Sequence, residues 1–540
     1  MKTIYTNARV FAGSLPLQEA FAVEDGHFCG VGSNVQMEAL AEACDQVVEL
    51  GGAFVCPGFI DSHMHMLNFG NAMENCDLTV ATGSLAQLQQ ALADFARERG
   101  LHKDDWIVGR GWNQDYFTPA TGIPTRDDLD EVSREHPICI VRCCGHCLSV
   151  NSRALEMLGI DERTAAPEGG TIERDESGRL NGIFMDTAMP LVQGRLPVPD
   201  KEALKRMIRL SARALNEVGV TSCHTDDLCT FEHVAWQQVV EAFRELEEAG
   251  ELSVRVYEQS QLDTPDKLRS FLSSGLCTGV GSEQFKIGPL KLVGDGSLGA
   301  RTAYLSHHYA DAPTEKGLAI FTQEQFDELI SIAREGGMQV AVHAIGDGIL
   351  DMILNAYEKA FVKFPAQDHR CGIVHVQLTR PDQLERMKRL GLHAYAQTIF
   401  IDYDSHVVYE RAGKELADTS YAFGTMKRMG IHVSNGTDCP VEKPDPMRGI
   451  QCAVTRQPLS GDLPPYCPDE RLTVEEALIS YTAEGAYAAF EETVKGQIAP
   501  GMLADFVVLN ANPFEVEAAR LSSIRVLQTW LGGKCVYTRT

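Results

Sequence analysis

From residue 215 onward the chain alternates short apolar segments with amphipathic helical segments, and this alternation limits the folds it can adopt. Strands that alternate with helices pair in parallel, because each helical crossover returns the chain to the same edge of the sheet. The predicted strands are 54–60, 218–224, 252–259, 285–293, 338–343, 371–375, 392–397 and 431–435. Eight parallel strands with helices between them predict an α/β fold, the (β/α)8 TIM barrel, whose active site lies at the C-terminal strand ends.

Helix start signals support this count. Thr322 with Gln325, and Thr473 with Glu476, have the spacing of a capping box, in which each side chain bonds a free backbone N–H of the other residue. Pro381 stands where the first turn of a helix accepts proline. These signals predict helices between the strands.

Two further parts lie outside the barrel pattern. About 150 residues separate the first two strands, far more than a βα connection uses, and they predict an inserted α+β subdomain over 71–199. This insert leaves the barrel beside the expected active site, so we expect it to cover that site and select substrates. Short β segments at both ends predict a terminal β-sandwich formed by 1–55 and 496–540, which leaves 56–70 and 200–495 for the barrel.

Net charge indicates the kind of partner. The formal charge of −27 argues against nucleic acid and against an anionic membrane surface, because neither attracts an acidic protein. The expected partner is a small-molecule substrate, and a homodimer is compatible with the sequence. No signal-peptide pattern opens the chain, and no later stretch is long and apolar enough to span a bilayer, so we expect a cytoplasmic protein.

Sixteen cysteines are present, and most are expected to be reduced core thiols, because a chain of this size does not need disulfides. One cluster stands apart, at Cys143-Cys144-Gly145-His146-Cys147. It can be interpreted as a zinc knuckle or a redox pair. Its position directly after an apolar run favours an ordinary strand end.

His63 and His65 stand two residues apart at the end of the first predicted strand. Side chains alternate between the two faces of a strand, so both imidazoles point to the same side and can bind one cation. A His-x-His pair alone also occurs by chance. Its interpretation therefore depends on the rest of the chain.

Four further residues stand at or just past predicted strand ends. Lys291 lies late in the apolar fourth strand, where an unpaired ammonium is costly. His343 and His375 end the fifth and sixth strands, and Asp438 follows the eighth. Each residue alone also has an ordinary structural interpretation, as a hydrogen-bonded side chain of the core or as part of a turn. Together they predict a metal site, because parallel strands bring their C-terminal ends to one rim.

Four sequence segments make the chain resemble the amidohydrolase superfamily, in particular the YtcJ-like metal-dependent hydrolases of amidohydrolase family 3, which include N-substituted formamide deformylases. They are Pro57-Gly58-Phe59-Ile60-Asp61-Ser62-His63-Met64-His65, Asp295-Gly296-Ser297-Leu298-Gly299-Ala300-Arg301-Thr302-Ala303, Val342-His343-Ala344-Ile345-Gly346-Asp347 and Gly436-Thr437-Asp438-Cys439-Pro440-Val441. The resemblance extends over nearly the full length.

The resemblance implies a role for each predicted ligand. His63 and His65 would bind the more buried of two metals, His343 and His375 the second, and Asp438 would contact the first while handling protons. Lys291, carboxylated by carbon dioxide, would bridge the two. Zinc is the expected ion, although iron, manganese or nickel can occupy such nitrogen and oxygen sites.

The same resemblance implies hydrolysis of a C–N bond, in an amide, N-acyl or N-formyl group, by a metal-bridging hydroxide. Asp438 would accept the proton from water and deliver it to the leaving nitrogen. A mononuclear deaminase is an alternative, but Gly346 stands where its glutamate is needed. A further alternative is a non-catalytic ligand-binding or regulatory protein on the same barrel.

Five residues beyond the ligands are candidates for substrate binding, namely Trp112, Asn113, His146, His224 and Arg301. Arg301 could clamp a substrate carboxylate, and a structural salt bridge is equally compatible with it. His224 ends the second strand, where it could line the pocket or belong to the core.

Overall fold

The computed structural model describes residues 2–39, 45–81, 83–143, 146–365 and 368–540. The chain divides into two compact units, of which the first consists of Met1–Asn68 and Leu204–Thr540 and the second of Phe69–Ala203. The first unit contains an eight-stranded sheet and two smaller sheets built from the chain ends. All six predicted metal ligands belong to this first unit.

The eight-stranded sheet confirms the predicted TIM barrel. Its strands pair in parallel and in chain order, and each is followed by a crossover that contains helix. They are Phe59–Met64, Val220–Thr225, Arg255–Gln261, Phe285–Val293, Val340–Ala344, Gly372–His375, His393–Ala396 and Val433–Asn435. The last strand lies against the first, where the backbone N–H of Asp438 donates to the carbonyl of His63 at 2.9 Å.

One predicted strand was wrong in its extent. The run 54–60 forms two strands, because Phe54–Pro57 pairs within a terminal sheet and Phe59–Met64 begins the barrel. Gly58 separates them, and its N–H donates to the carbonyl of Asp505 at 2.9 Å. The apolar character is continuous because both sheets bury this segment, so periodicity alone could not locate the break.

The helices of the first unit begin largely where the capping signals predict. The side chains of Thr322 and Thr473 accept from the backbone N–H groups of Gln325 and Glu476, and Pro381 opens its helix. The α-helices are Asn34–Glu38, Met66–Glu74, Lys201–Glu217, Trp236–Glu248, Pro265–Ser273, Gln323–Glu335, Asp347–Lys363, Pro381–Leu390, Ile401–Asp404, Val408–Ala417, Phe423–Arg428, Pro446–Thr455, Val474–Ser480 and Ala483–Ala488. Short 3-10 helices are Thr398–Phe400, Pro468–Glu470 and Ala518–Ser523. In the part of the chain that the structure describes, no helix combines the length and apolarity needed to cross a bilayer.

Both chain ends contribute to the two terminal sheets. One sheet has the strand order His27–Gly32, Ala20–Glu24, Lys2–Thr6 and Gln46–Glu49. The other has the order Arg9–Val10, Phe54–Pro57, Phe506–Leu509, Val526–Leu531 and Lys534–Thr538. Their facing side chains share one apolar core, in which the ring of Phe506 lies 5.3 Å from Tyr5 and 5.0 Å from Phe21.

The second unit is an α+β subdomain with a six-stranded sheet of its own. The strands, in sheet order, are Gly170–Arg174, Leu180–Asp186, Cys147–Val150, Ile138–Arg142, Ile107–Trp112 and Cys76–Asp77. Its helices are Leu85–Arg99, Arg126–Asp130, Ser152–Leu158 and Pro190–Gln193, with a 3-10 turn at Gln114–Tyr116. The sequence predicts this insert over 71–199, and the compact unit spans Phe69–Ala203. That it covers the active site stays a prediction.

The cysteines of the described residues are free thiols, in agreement with the reduced state predicted for them. Cys56, Cys139, Cys223, Cys371 and Cys452 are buried. Within the Cys143–Cys147 cluster, Cys143 is exposed and Cys147 is buried, while Cys144 and Gly145 lie outside the described residues. A role for this cluster stays untested.

Candidate metal centre

The barrel brings the predicted histidines together at the C-terminal ends of its strands. The ring centres of His63 and His65 lie 5.3 Å apart, and those of His343 and His375 lie 4.3 Å apart. The two pairs meet where His63 lies 5.6 Å from His375. These residues are as much as 312 positions apart in sequence, from His63 to His375, so only the closed barrel makes them neighbours.

Asp438 joins the first pair. Its Oδ1 atom lies 3.0 Å from Nε2 of His65 and 3.3 Å from Nε2 of His63. Ligand atoms of these three residues lie within 4.8 Å of one another. Two imidazole nitrogens and a carboxylate oxygen at this spacing form a donor set that suits a divalent cation such as zinc.

The backbone around Asp438 is fixed by close approach of the first and last strands. A Cβ atom on Gly436 would lie 2.6 Å from the backbone nitrogen of His63, so this position requires glycine. The buried carboxylate of Asp61 accepts hydrogen bonds from the backbone N–H and hydroxyl of Thr437. Asp438 itself has a left-handed φ of 58°. These contacts determine where its carboxylate lies.

Lys291 is connected to the same cluster through a residue that the sequence analysis missed. Its Nζ atom lies 2.8 Å from Oδ2 of Asp226, and Oδ1 of Asp226 contacts Nδ1 of His65. Lys291 is 1% exposed and Asp226 is 3% exposed. The ion pair therefore offsets part of the cost of burying the ammonium.

Burial and charge act in opposite directions on these groups. Burial lowers the pKa of His63 and of His375, which favours neutral imidazoles with free lone pairs. Burial alone would raise the pKa of Asp438, but the adjacent imidazoles of His63 and His65 hold it well below its usual value. The pKa of Asp226 is also lowered against the effect of burial, by His65 and Lys291. Both carboxylates thus stay ionised.

His65 differs from its neighbour. Burial lowers its pKa, but the adjacent carboxylates of Asp226 and Asp438 outweigh this effect and raise the pKa well above the ordinary value. A cation bound at Nε2 of His65 has to displace the proton there. The negative charge of Asp226 and Asp438, which stabilises the protonated form of His65, would also stabilise a cation bound in place of that proton.

The residues present fit a bound cation. Nε2 of His63 is buried and makes no hydrogen bond to any described residue, although a carboxylate oxygen is 3.3 Å away. A buried nitrogen lone pair without a donor is costly, and a cation would satisfy it. This observation comes from the arrangement of the side chains alone.

Three of the predicted substrate contacts lie in the second unit. Trp112 is 0% exposed and packs in the apolar core of that unit, so its burial favours a core role. Asn113 caps the turn at Gln114–Tyr116 and accepts from Arg142. His146 is exposed beside Asp186. Their contact with a substrate stays a prediction.

The other two lie in the first unit. His224 is fully buried against the ring of Tyr257 at 5.1 Å, and burial lowers its pKa to about 3, which favours a core role. Arg301 forms a forked ion pair with Asp311, which also binds Arg411. This ion pair agrees with the structural interpretation of Arg301. That His224 or Arg301 contacts a substrate stays a prediction.

Polar residues around the ligands were the main omission of the sequence analysis. Those in contact with a predicted ligand are Asp226, Gln259, Asp295 and Gln397. The available signal was their position, because each stands in or just after a barrel strand where an apolar residue is usual. Their partners, however, belong to other strands.

Comparison with known proteins agrees with the fold. Residues 46–537 match the amidohydrolase family. The protein YtcJ of Bacillus subtilis (strain 168) is 32% identical over 97% of this chain and 96% of its own length. The N-substituted formamide deformylase of Arthrobacter pascens is 26% identical over 99% of this chain and 98% of its own. Among solved structures, an uncharacterized metal-dependent hydrolase from Pyrococcus furiosus is 28% identical, with a TM-score of 0.79 over 95% of this chain and 100% of that one.

Proposed function

This chain belongs to the amidohydrolase family, and on that premise we propose that it is a metal-dependent hydrolase that cleaves a C–N bond of a small molecule. The bond belongs to an amide, N-acyl or N-formyl group. The observation that carries the proposal is the convergence of His63, His65 and Asp438 within 4.8 Å, next to the second histidine pair.

The proposed site holds two divalent cations, most simply zinc. His63, His65 and Asp438 are the ligands of the first, and His343 with His375 are ligands of the second. When bound, such a pair of cations lowers the pKa of water and polarises a carbonyl group. Buried imidazoles and carboxylates that stay ionised support this assignment.

Asp438 is the proposed proton carrier. Its carboxylate is 6% exposed and lies within 3.3 Å of two imidazoles, so it is fixed in place at the strand rim. Its lowered pKa keeps it ionised, so a carboxylate oxygen is available to accept a proton from water whose own pKa a bound cation would lower. Once protonated, it can return that proton to the leaving nitrogen, which must be protonated to depart as an amine.

Lys291 is proposed to be carboxylated and to bridge the two cations. Carboxylation converts an ammonium into an anionic oxygen ligand, which removes the buried positive charge. A carboxylated Lys291 could not form the present ion pair with Asp226, because it would carry no ammonium group. A carbamate signal in the ¹³C NMR spectrum after incubation with labelled bicarbonate, absent from Lys291→Met, is the expected result. Full metal loading without such a signal contradicts the bridge.

The mononuclear deaminase alternative is disfavoured at Gly346. That reaction type needs a glutamate three residues after His343, whereas a Cβ atom on Gly346 would overlap the backbone carbonyl of Tyr304. A glutamate there would require the backbone to move. The name of the Arthrobacter pascens relative supports the choice of N-formyl compounds among the first substrates to test.

The test combines metal analysis with a substrate screen. The purified protein is loaded with zinc or manganese, its metal content is measured, and N-formyl amines, N-acyl amino acids and cyclic amides are assayed. We expect about two metals per chain and release of an amine. About one metal per chain favours the deaminase alternative, and none favours the non-catalytic protein.

Asp438→Asn tests the proton role within this scheme. We expect kcat to fall by roughly 10²–10⁴, the usual contribution of a general acid–base group. Asp462→Asn is the matched control, because Asp462 is an exposed carboxylate paired with His406. Metal content is measured in both variants, and normal turnover by a metal-loaded Asp438→Asn protein contradicts the assigned role.

A further inference from the structure

Apart from the proposed ligand Asp438, each of the four histidines in the centre has a neighbouring group at one ring nitrogen only, which leaves the other nitrogen for a metal. At His65 this group is the carboxylate of Asp226, on Nδ1, and at His343 the Nε2 atom lies 3.2 Å from the carbonyl of Gly296 and 3.2 Å from Oδ1 of Asp295. The partners of the remaining two are neutral amides. These two amides belong to Gln259, beside His63, and Gln397, beside His375.

The direction of the Gln259 amide is fixed by its second contact. Its Nε2 group donates to the backbone carbonyl of Ser62 at 3.2 Å, and a carbonyl can only accept. Its Oε1 atom therefore faces Nδ1 of His63, at 2.7 Å. Oε1 can only accept, so Nδ1 of His63 must carry the proton. The lone pair of His63 is then on Nε2, the atom that faces Asp438.

Gln397 also faces a histidine, but its Nε2 atom makes no hydrogen bond to any described residue, so no second contact fixes the direction of its amide. It follows the seventh barrel strand, directly beside the sixth, and its Oε1 atom lies 2.8 Å from Nδ1 of His375. The ring of His375 is stacked 5.9 Å from Phe400, so its plane is also fixed. Gln397 is 1% exposed. With its amide oxygen toward the ring, the orientation found here, Gln397 places the proton of His375 on Nδ1 and the lone pair on Nε2.

The neutrality of these partners matters in this centre. A carboxylate partner raises the basicity of a metal-binding histidine and adds negative charge. Asp226 and Asp438 already place two buried carboxylates beside His65. An amide makes the same hydrogen bond without a third charge, so it orients His63 at a smaller desolvation cost.

We propose that Gln259 and Gln397 are positioning residues that hold His63 and His375 in the Nδ1–H tautomer, so that Nε2 of each is presented to a metal. The inference rests on the proposed metal-dependent function. Each of the two proposed metals would then have one histidine oriented by an amide and one that contacts a carboxylate.

The first test measures the tautomers directly in the metal-free protein. Protein labelled with ¹⁵N in histidine is studied by long-range ¹H–¹⁵N NMR, and the signals are assigned with His63→Gln and His375→Gln. We expect both rings to be Nδ1–H. Gln259→Leu removes the acceptor with little change in size and should yield a mixture of tautomers at His63. Gln259→Glu retains an acceptor and should preserve the Nδ1–H form.

The second test measures zinc affinity by competition with a chromogenic chelator. Loss of an outer hydrogen-bond partner typically weakens metal binding by about 10–100-fold, which we expect for Gln259→Leu and for Gln397→Leu. Gln457→Leu is the control, because Gln457 bonds the carbonyl of Leu463 outside the centre. Circular dichroism verifies that each variant is folded, and the two sites are independent should one variant fail to fold.

The outcomes separate this inference from the proposed function. An Nε2–H tautomer at His63 or His375, or unchanged tautomers and unchanged affinity in both leucine variants, overturns the inference. A native protein that shows both Nδ1–H tautomers but binds no zinc supports the positioning role and contradicts the metal-dependent function. Altered tautomers together with weaker zinc binding support both.

Discussion

Asp404 is a carboxyl group that the fold almost removes from water, and it provides a quantitative test of the structure. It is 8% exposed, and its Oδ2 atom accepts hydrogen bonds from Tyr421 at 2.7 Å and from Gln377 at 2.8 Å. Burial raises its pKa to about 6, although both hydrogen bonds act in the opposite direction. Gln377 belongs to the segment that follows His375, so this network also supports the loop of the sixth strand.

The pH dependence follows from proton binding. An aspartate in the unfolded chain titrates near pH 4, whereas Asp404 in the folded protein titrates at about pH 6. Between these values the folded protein keeps a proton that the unfolded chain has lost, so stability falls as pH rises through this window. A difference of about 2 pKa units corresponds to roughly 3 kcal/mol, all of it lost above pH 6.

Asp404→Asn removes this titration while keeping an oxygen that can accept from Tyr421. Urea unfolding of wild type and variant, followed by circular dichroism from pH 4 to pH 7, yields the difference in unfolding free energy at each pH. We expect this difference to shift by about 3 kcal/mol in favour of the variant, with the change centred between pH 4 and pH 6. Any effect of the substitution on the unfolding free energy that is the same at every pH cancels, because only the change of this difference with pH is compared.

The control is Asp266→Asn, since the side chain of Asp266 is exposed. Its stability curve should remain parallel to that of the wild type over the whole pH range. If the curves of wild type and Asp404→Asn are also parallel, Asp404 is hydrated or unshifted, and the reasoning from burial is wrong.

Three further predictions concern packing in and around the barrel. Arg255 forms a buried, forked ion pair with Asp505, at 2.7 and 3.0 Å, and Asp505→Asn removes its charged partner. The free energy of unfolding, measured with urea, should therefore fall by about 3–5 kcal/mol. A loss below about 1 kcal/mol speaks against a buried pair. Leu88→Ala opens a cavity in the core of the second unit and should lower the free energy of unfolding of that unit by about 2–5 kcal/mol. The expected result is faster cleavage of this unit in limited proteolysis. An unchanged cleavage rate contradicts the packing described for Leu88. Gly436→Ala places a Cβ atom 2.6 Å from the backbone nitrogen of His63, so zinc titration should show weaker binding than in wild type, and equal affinity indicates that the strands can separate freely.

Much of the fold could be predicted because strand and helix periodicities are local properties of the sequence. The fourth barrel strand, Phe285–Val293, has the predicted bounds, because an apolar run bounded by polar residues marks a strand buried on both faces. The segment 54–60 was the exception. Two sheets bury it in succession, and only its pairing with Phe506–Leu509 shows that the first strand ends at Pro57.

The convergence of the proposed ligands could be predicted for a related reason. His63, His343 and His375 stand at strand ends, and the barrel rule brings all strand ends to one rim. The polar residues that contact them could not be predicted in this way. Gln259 lies 196 positions from His63, and nothing within the third strand distinguishes it from a glutamine with a purely structural role.

The sequence alone thus determined the order of the strands, the helices between them and the residue types available at the rim, because these depend on local periodicity and strand direction. Only the tertiary structure decided the pairing of Lys291 with Asp226, and the contacts of His63 with Gln259 and of His375 with Gln397. The physical reason is that hydrogen bonds and ion pairs act over about 3 Å. Barrel closure, through contacts such as Asp438 with His63, is what brings distant residues within that range.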